Sequence, residues 1–348
     1  MSKQALYLAL AALVLGAAYV QAQEFQWIRA AYWDQRYAGA WGGGGIAMRD
    51  ALAGAGYEVL DADALKVWMD ARIADREYSV VVFCLDVVPD TVGETMSETC
   101  TLRRYLNAGG KIVWYSDWPF YYQGDAGGNR TTWGSAGATS VLGFNASTGP
   151  NDSYTTVTIT ALGAAWGLTE TWESRRPTSP TVTDNLSVLA LDGNGNAAAW
   201  AKHYVANDTF RGFVRIYDRA GAPNPEDVMR VAEYVSLKAS NPRPPDGATG
   251  VIHPLVEWDS GSFALWQDVY FGTDPEPPLI MRQMWNLYYH PAGLEPGVTY
   301  YWRIDEVSAD AVTIYTGDVW SFTATPLTAW GPHPADGAEK VMTAPLLT

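Results

Sequence analysis

Aspartate residues follow several segments of the sequence that are predicted to form β-strands. Parallel strands end at one edge of a sheet, where such folds bind their ligands, so these carboxylates would lie near one another. Carboxylates held close together raise one another's pKa, which suits acid–base catalysis or a divalent cation. Aspartate is also a common helix N-cap that needs only backbone N–H partners, so capping is the alternative. The four positions are Asp34, Asp61, Asp86 and Asp117, of which Asp34, Asp86 and Asp117 are the candidates for catalysis.

Aromatic residues lie next to these aspartates in the sequence, and more follow Trp118 within four positions. Rings bordered by carboxylates suit sugars, because the apolar faces of a sugar stack on the rings and its hydroxyl groups donate to carboxylates. The alternative is that the rings only pack beneath the loop after Trp118. The residues expected to bind a ligand are Trp33, Asp34, Asp61, Asp86, Tyr115, Asp117 and Trp118.

Several other kinds of site are not expected. The histidines are scattered without the spacing of a zinc motif. The Gly42–Gly45 run lacks the spacing and the lysine of a phosphate-binding loop. We therefore predict no metal site and no cofactor. Cys84 and Cys100 allow one disulfide bond, although the apolar run around Cys84 favours a buried free thiol.

The charge and the N-terminus of the chain indicate where it works. The formal net charge of −15 argues against partners such as nucleic acid and anionic membrane surfaces, which require clustered Lys and Arg. Lys3, the apolar run Ala5–Val20 and a small-residue site ending at Ala22 predict a signal peptide over residues 1–22. The alternative, an uncleaved anchor, requires a span of roughly 20 residues, and this run is shorter. We therefore expect a secreted, periplasmic or cell-surface protein without a membrane span after cleavage.

Strand and helix patterns alternate from about residue 25 to residue 240. The predicted strands are Phe25–Tyr32, Tyr57–Leu60, Ser79–Leu85, Lys111–Tyr115, Thr156–Ile159, Ser187–Leu191, Ala197–His203 and Gly212–Tyr217. The predicted helices are Ile46–Ala55, Ala64–Ala74, Glu94–Asn107 and Pro225–Lys238. Repeated βα units predict an α/β fold with a doubly wound parallel sheet. Such a sheet would bring the four aspartates to one edge.

The pattern changes to β after a proline-rich linker, Ala239–Gly247. Four predicted strands follow, which indicates an all-β sandwich. They are Leu255–Trp258, Trp266–Phe271, Thr299–Ile304 and Asp318–Thr323. The segment Gly331–Val341 then matches Asn241–Val251. This match predicts that residues 327–348 begin a second repeat, with further modules of the same protein beyond Thr348.

The second module resembles fibronectin type III-like domains of exported modular bacterial proteins. The segments that carry the resemblance are Leu294–Ile304 and Gly317–Thr323. In that family a tyrosine near the start of the sixth strand ties its hydroxyl back to the backbone, and Tyr300 occupies this position. The resemblance implies a spacer or an adhesive unit.

The first domain resembles class I glutamine amidotransferase-like domains, which have a flavodoxin-like fold. The segment that carries the resemblance is Leu106–Trp118. That family places a nucleophilic cysteine in the turn after the strand, where this chain has Ser116 or Asp117. The resemblance therefore implies the fold without the amide-hydrolysing activity, which requires a thiolate.

The sequence as a whole predicts an exported modular protein that binds or displays a ligand. The expected organisation is a signal peptide (1–22), an amidotransferase-like α/β domain (23–240), a fibronectin type III-like domain (241–326) and a truncated repeat (327–348). The first domain is expected to be non-catalytic, and its partner would be carbohydrate or a cell-surface polymer. The alternative is a hydrolase that acts on a glycan or glycoconjugate through the aspartates at the sheet edge.

Overall fold

The chain folds into two compact units, Met1–Val235 and Ser236–Thr348. The computed structural model describes residues 27–37, 44–149, 153–184, 186–206, 208–252, 255–262, 264–284, 287–308 and 311–326. The predicted signal peptide and the predicted second repeat lie outside these described residues. Within them, no helix is both long enough and apolar enough to cross a bilayer.

The first unit contains six α-helices and thirteen strands among its described residues. The helices are α1 (Gly45–Gly54), α2 (Ala62–Asp75), α3 (Thr101–Asn107), α4 (Ser135–Leu142), α5 (Ala161–Ala165) and α6 (Pro225–Glu233). The strands are β1 (Ile28–Tyr32), β2 (Glu58–Leu60), β3 (Ser79–Phe83), β4 (Val88–Pro89), β5 (Lys111–Tyr115), β6 (Tyr122–Gly124), β7 (Arg130–Thr132), β8 (Thr155–Thr156), β9 (Thr158–Ile159), β10 (Glu173–Ser174), β11 (Leu186–Leu191), β12 (Ala197–Lys202) and β13 (Gly212–Ile216).

The main sheet of the first unit has eight strands in the order β2-β1-β3-β5-β13-β12-β11-β9. The strands from β2 to β13 in this order are parallel. The strands β12, β11 and β9 continue the sheet in antiparallel fashion. The sheet is therefore mixed, and the carboxyl ends of β1, β3, β5 and β13 lie along one edge.

The prediction of a doubly wound, flavodoxin-like parallel sheet is wrong. Strands account for 34% and helices for 20% of the described residues, and they form several sheets. Short strands outside the main sheet form two small sheets, β4-β6-β7 and β10-β8, in place of another βα unit. The strands β11 and β12 are joined by the short turn 192–196, which forces them to pair antiparallel, because a parallel pair needs a crossover of a dozen or more residues.

Both faces of the main sheet are buried. All five residues of β3 and of β5 are buried, as expected for central strands covered on both sides. One core contains Phe83 and Trp114 with residues of α2, α3 and α4. The other contains Val82 and Val113 with residues of α1 and α6. The start of β5 is tied to the end of α6, because the buried Lys111 donates to the carbonyl of Val231 at 2.6 Å.

The second unit contains only strands among its described residues. They are β14 (Ser240–Arg243), β15 (Ala248–Val251), β16 (Val256–Asp259), β17 (Ala264–Gly272), β18 (Leu279–Gln283), β19 (Tyr288–Tyr289), β20 (Thr299–Ser308), β21 (Ile314–Tyr315) and β22 (Trp320–Ala324). One sheet has the order β14-β16-β19, and the other β15-β22-β20-β17-β18 with β21 beside β20. Trp258 from the first sheet and Trp302 from the second are both fully buried in a shared core.

Tyr300 closes one end of β20 against the preceding turn. Its hydroxyl accepts a hydrogen bond from the backbone N–H of Glu295 at 2.8 Å. Its ring stacks on Phe271 and on Phe322, with centroid distances of 5.3 and 5.8 Å. The hydroxyl of Tyr300 thus has the backbone contact that the resemblance implies for it.

We expect the Tyr300→Phe variant to lower the free energy of unfolding of the second unit by about 1–2 kcal/mol. The ring and its stacking remain, and the N–H of Glu295 loses its acceptor. Urea denaturation of the whole chain, followed by hydrogen exchange in peptides from residues 255–326, measures this change. Tyr288→Phe is the control, because Tyr288 is half exposed. Equal stability of the two variants would contradict the role given to the Tyr300 hydroxyl.

Candidate functional site

Asp34 and Asp61 both serve the N-terminus of α2. The carboxylate of Asp34 accepts from the backbone N–H of Ala62 at 3.0 Å and from the guanidinium of Arg36 at 2.7 Å. Burial by itself would raise the pKa of Asp34, but these hydrogen bonds lower it. Asp61 is the N-cap of α2 and accepts from the N–H of Ala64 at 2.8 Å. These two aspartates therefore have the capping role that was the alternative to a shared site.

Asp86 and Asp117 lie at the edge formed by the ends of β3 and β5. Asp86 is buried, and the side chain of Asp117 is only 12% exposed. Burial raises the pKa of Asp117, and the negative charge of Asp86 adds to this effect. The guanidinium groups of Arg215 and Arg176 act in the opposite direction. The structure thus brings together two of the four aspartates in the predicted set.

The backbone at the ends of β5 and β13 is strained. Ser116, Phe120 and Tyr217 have φ values of 82°, 58° and 53°, a region that non-glycine residues rarely adopt. The N–H of Ser116 donates to the carbonyl of Tyr217 at 2.9 Å, which joins the two strand ends. Strain of this kind is often found at binding and catalytic sites. The hydroxyl of Ser116 is buried and has no hydrogen-bond partner among the described residues.

A loop that contains Arg176 is anchored to this edge by Asp218. Asp218 is fully buried immediately after the end of β13. It accepts from Trp172 Nε1 at 2.6 Å, from Ser174 Oγ at 2.6 Å and from the backbone N–H of Arg176 at 2.9 Å. One carboxylate therefore holds the loop at three points.

Trp118 and Arg176 meet at the surface of the edge. The guanidinium carbon of Arg176 lies 5.3 Å from the centroid of the Trp118 ring, and Arg176 Nε lies 3.6 Å from Asp117 Oδ1. Trp118 is half-buried, and its ring also stacks on Tyr121 at 5.8 Å. The edge thus presents an aromatic ring, a carboxyl group and a guanidinium group close together.

The other two aromatic residues of the predicted set differ from Trp118. Trp33 is half-buried, and the guanidinium carbon of Arg49 lies 4.5 Å from its ring centroid. Tyr115 is only 2% exposed because it belongs to a central strand, so its ring cannot stack on a ligand at the surface. The ligand-binding role predicted for Tyr115 therefore has no support in its position.

Sequence reasoning missed Arg215, a fully buried residue of β13. Its cross-strand neighbours are Trp114 and Trp200. Burial lowers the pKa of Arg215 to about 10, while the charges of Asp218 and Asp117 oppose the shift. The available signal was an arginine inside the otherwise apolar segment Gly212–Ile216. Together Ser116, Asp117, Trp118, Arg176 and Arg215 are called the edge cluster below.

Among the described residues, neither the possible metal ligands nor the two cysteines form a second site. Within the described ranges, no three His, Cys, Asp or Glu residues are placed to hold a metal ion. Cys84 and Cys100 are both buried free thiols, and burial raises the pKa of Cys84 to about 12. A small depression of about 200 Å³, which includes solvent at its mouth, lies beside the edge and is lined by Trp172, Tyr217 and Asp227 among others.

Two of the solved structures that match this chain do so over a short part of it. They are a β-1,2-glucanase from Parabacteroides distasonis and an α-L-rhamnosidase from Dictyoglumus thermophilum, both with a TM-score of 0.22. The sequence identities are 17% and 13%, over 28% and 27% of this chain and 14% and 12% of the other chains. Similarity at this level supports no statement about fold or function.

Comparison by sequence gives a relative and a family. The relative is the uncharacterized protein MJECL34 of Methanocaldococcus jannaschii, which is 31% identical over 201 residues, or 54% of this chain and 65% of the relative. The chain thus spans less than two thirds of that protein. The MJECL34 family model matches residues 29–229, from β1 into α6, and so includes the whole edge cluster. Because this match covers more than half of the chain, the chain belongs to the MJECL34 family.

Proposed function

We propose that the chain is a binding module of an exported protein and that its first unit binds carbohydrate at the edge cluster. The observation that carries the proposal is the contact between Trp118, Asp117 and Arg176 at the surface of a strained sheet edge. A sugar offers apolar C–H faces to an aromatic ring and hydroxyl groups to charged side chains. Trp118 provides such a ring, and Asp117 and Arg176 provide the charged side chains.

Rigid support for the three residues favours recognition. Asp117 and Trp118 follow a fully buried central strand, and Arg176 is held through its backbone by Asp218. Side chains placed in advance lose less conformational entropy when a ligand binds. A preorganised cluster therefore binds more tightly than the same residues on a loose loop would.

The alternative function is hydrolysis of a glycan or glycoconjugate. It is favoured by one observation, the raised pKa of Asp117 beside Asp86. A carboxyl group with a raised pKa beside a second carboxyl group is the pattern of a glycosidase acid and its partner. In this alternative Asp117 would be the acid and Asp86 the base or nucleophile. Glutaminase activity is not expected, because the buried Cys84 remains a thiol at neutral pH.

The location of the protein remains part of the proposal. Cleavage after Ala22 and export rest on the sequence of residues 1–22. The proposed partners are carbohydrate or a cell-surface polymer and further modules of the same protein. The net charge of −15 disfavours nucleic acid.

The test is binding of the whole chain to a panel of oligosaccharides, followed by titration calorimetry on the ligands found. We expect Trp118→Ala and Asp117→Asn each to weaken binding by roughly tenfold or more, since each removes a contact worth about 1.5–3 kcal/mol. Asp61→Asn is the matched control, because Asp61 also follows a strand but caps α2, a role that asparagine fills as well.

The same variants separate binding from hydrolysis. If the chain is a hydrolase, release of reducing ends from a glycan will be detectable and Asp117→Asn will abolish it. If the chain only binds, no reducing ends appear, and the variant changes the affinity alone. An absence of binding across the panel would refute the carbohydrate proposal.

A further inference from the structure

The guanidinium group of Arg215 has one edge that no described residue contacts through a hydrogen bond. Arg215 is fully buried, and its Nη1 donates to the carbonyl of Arg176. Its Nε and Nη2 atoms are buried without a hydrogen-bond partner. A buried donor without an acceptor is costly, and native structures contain few. These two N–H groups therefore require an explanation.

Two other arginines of this chain bind carboxylates through the same two atoms, Nε and Nη2. Arg282 donates from Nε and Nη2 to the two oxygens of Asp268 at 2.6 and 2.7 Å. Arg303 donates from the same atoms to Asp305 at 2.8 and 3.1 Å. Paired N–H groups of this geometry match the two oxygens of a carboxylate. The free edge of Arg215 is thus a fork of the kind that holds an acidic group.

Further unpartnered donors belong to the same cluster. Ser116 Oγ and Trp118 Nε1 are also buried without a hydrogen-bond partner among the described residues. Trp118 contacts Arg176, whose carbonyl is bound by Arg215, so these groups belong to one connected set. Asp117, between Ser116 and Trp118, is close enough to Arg215 for its negative charge to raise the pKa of the guanidinium group. An oxygen-rich ligand would satisfy several of these donors at once.

We propose that Arg215 recognises a carboxylate of the ligand through its Nε and Nη2 atoms, so that sugar acids such as hexuronic acids are the preferred ligands of the edge cluster. This inference rests on the proposed function, because it names the kind of carbohydrate that the same site binds. The chain carries a net charge of −15, which repels polyanions. The preferred ligand therefore has a single acidic unit and neutral sugars beside it.

A ligand can reach the buried edge of Arg215 only if a covering segment moves. The loop with Arg176 is held by three hydrogen bonds to Asp218. The segment Ser116–Phe120 has strained backbone at both ends and contains the half-buried residue Trp118. Strained backbone of this kind also occurs in segments that switch between two positions, so we place the opening at Ser116–Phe120, which returns to the preorganised position described above once the ligand is bound.

The test compares a disaccharide of one hexuronic acid and one neutral hexose with its methyl ester, by calorimetry on the whole chain. The ester keeps the shape of the ligand and removes its charge. We expect the acid to bind roughly ten- to a hundredfold more tightly than the ester, because charge-assisted bidentate hydrogen bonds are lost in the ester. In Arg215→Lys this preference should disappear, since lysine keeps the charge but has no fork.

Arg36→Lys is the control variant, because the same edge of Arg36 is already occupied by Asp34. It should keep the full preference for the acid.

Equal binding of acid and ester by the unchanged chain would overturn the inference and leave the carbohydrate proposal standing. Tighter binding of a sugar phosphate than of the sugar acid would also overturn it. A lack of binding by the acid, the ester and every neutral sugar would refute both proposals. The comparison of acid with ester uses the unchanged chain and so does not depend on whether Arg215→Lys folds.

Discussion

The Asp218→Ala variant should lower the free energy of unfolding of the first unit by about 3–5 kcal/mol. Asp218 is fully buried and accepts hydrogen bonds from Trp172, Ser174 and Arg176. It is also the strongest opposite charge acting on the buried Arg215. Its removal leaves three donors without an acceptor and takes away the larger of the two negative charges that compensate the buried Arg215 cation. Urea denaturation with hydrogen exchange in peptides of residues 170–218 measures the loss.

The loss of stability in Asp218→Ala can be compared with the loss in two further variants. Asp218→Asn keeps the volume and one oxygen, so its cost should fall between that of alanine and zero. Asp61→Ala removes a helix cap and should cost only about 1 kcal/mol. If Asp218→Ala is no more destabilising than Asp61→Ala, Asp218 does not organise the edge in the way that its contacts indicate.

The second unit should become less stable as the pH rises from about 4.5 to about 7. Glu306 of β20 is fully buried, and burial raises its pKa to about 7 from an ordinary value of 4.5. Its carboxylate accepts from the backbone N–H of Gly261 at 2.8 Å, which opposes the shift without cancelling it. Over this range the folded state binds a proton that the unfolded state has released, so the pH rise favours unfolding. A contribution of up to ~3 kcal/mol is present below pH 4.5 and lost above pH 7.

The Glu306→Gln variant tests this explanation. Glutamine stays neutral at every pH in this range, so the variant should lose the pH dependence and be more stable than the unchanged chain at pH 8. Glu257→Gln is the control, because the Glu257 side chain is 42% exposed and faces Arg243 at the surface. Urea midpoints at pH 5 and pH 8, measured in peptides from residues 255–326, provide the comparison. A pH dependence that survives in Glu306→Gln would assign it to another group.

Features that depend on residues a few positions apart can be predicted from the sequence. Asp61 caps α2, and Asn224 caps α6 with Pro225 after it, because a cap needs only backbone N–H groups that lie close in sequence. The apolar runs of β3 and β5 indicated strands buried on both faces, and every residue in them is buried. Signals of this kind depend on near neighbours and so are present in the sequence itself.

The same patterns do not predict whether neighbouring strands run parallel or antiparallel. Apolar runs look alike in parallel and antiparallel strands, because the side chains alternate in both. The direction depends on the partner strand and on the connection between them. The turn 192–196 decides the direction for β11 and β12, because its glycines and asparagines allow a short connection between the two strands.

By itself, the sequence determined the positions of the buried central strands of the main sheet, since these depend on the spacing of apolar residues. Only the tertiary structure decided which aspartates meet. Asp34 binds Arg36 and the N-terminus of α2. Asp117 lies beside Arg176 and interacts with Arg215, and these two arginines are 59 and 98 positions from Asp117 in sequence. Contacts over such separations arise from the pairing of β5 with β13 and from the anchoring of the Arg176 loop by Asp218. No periodicity in the sequence records them, because they depend on which strands become neighbours in the folded sheet.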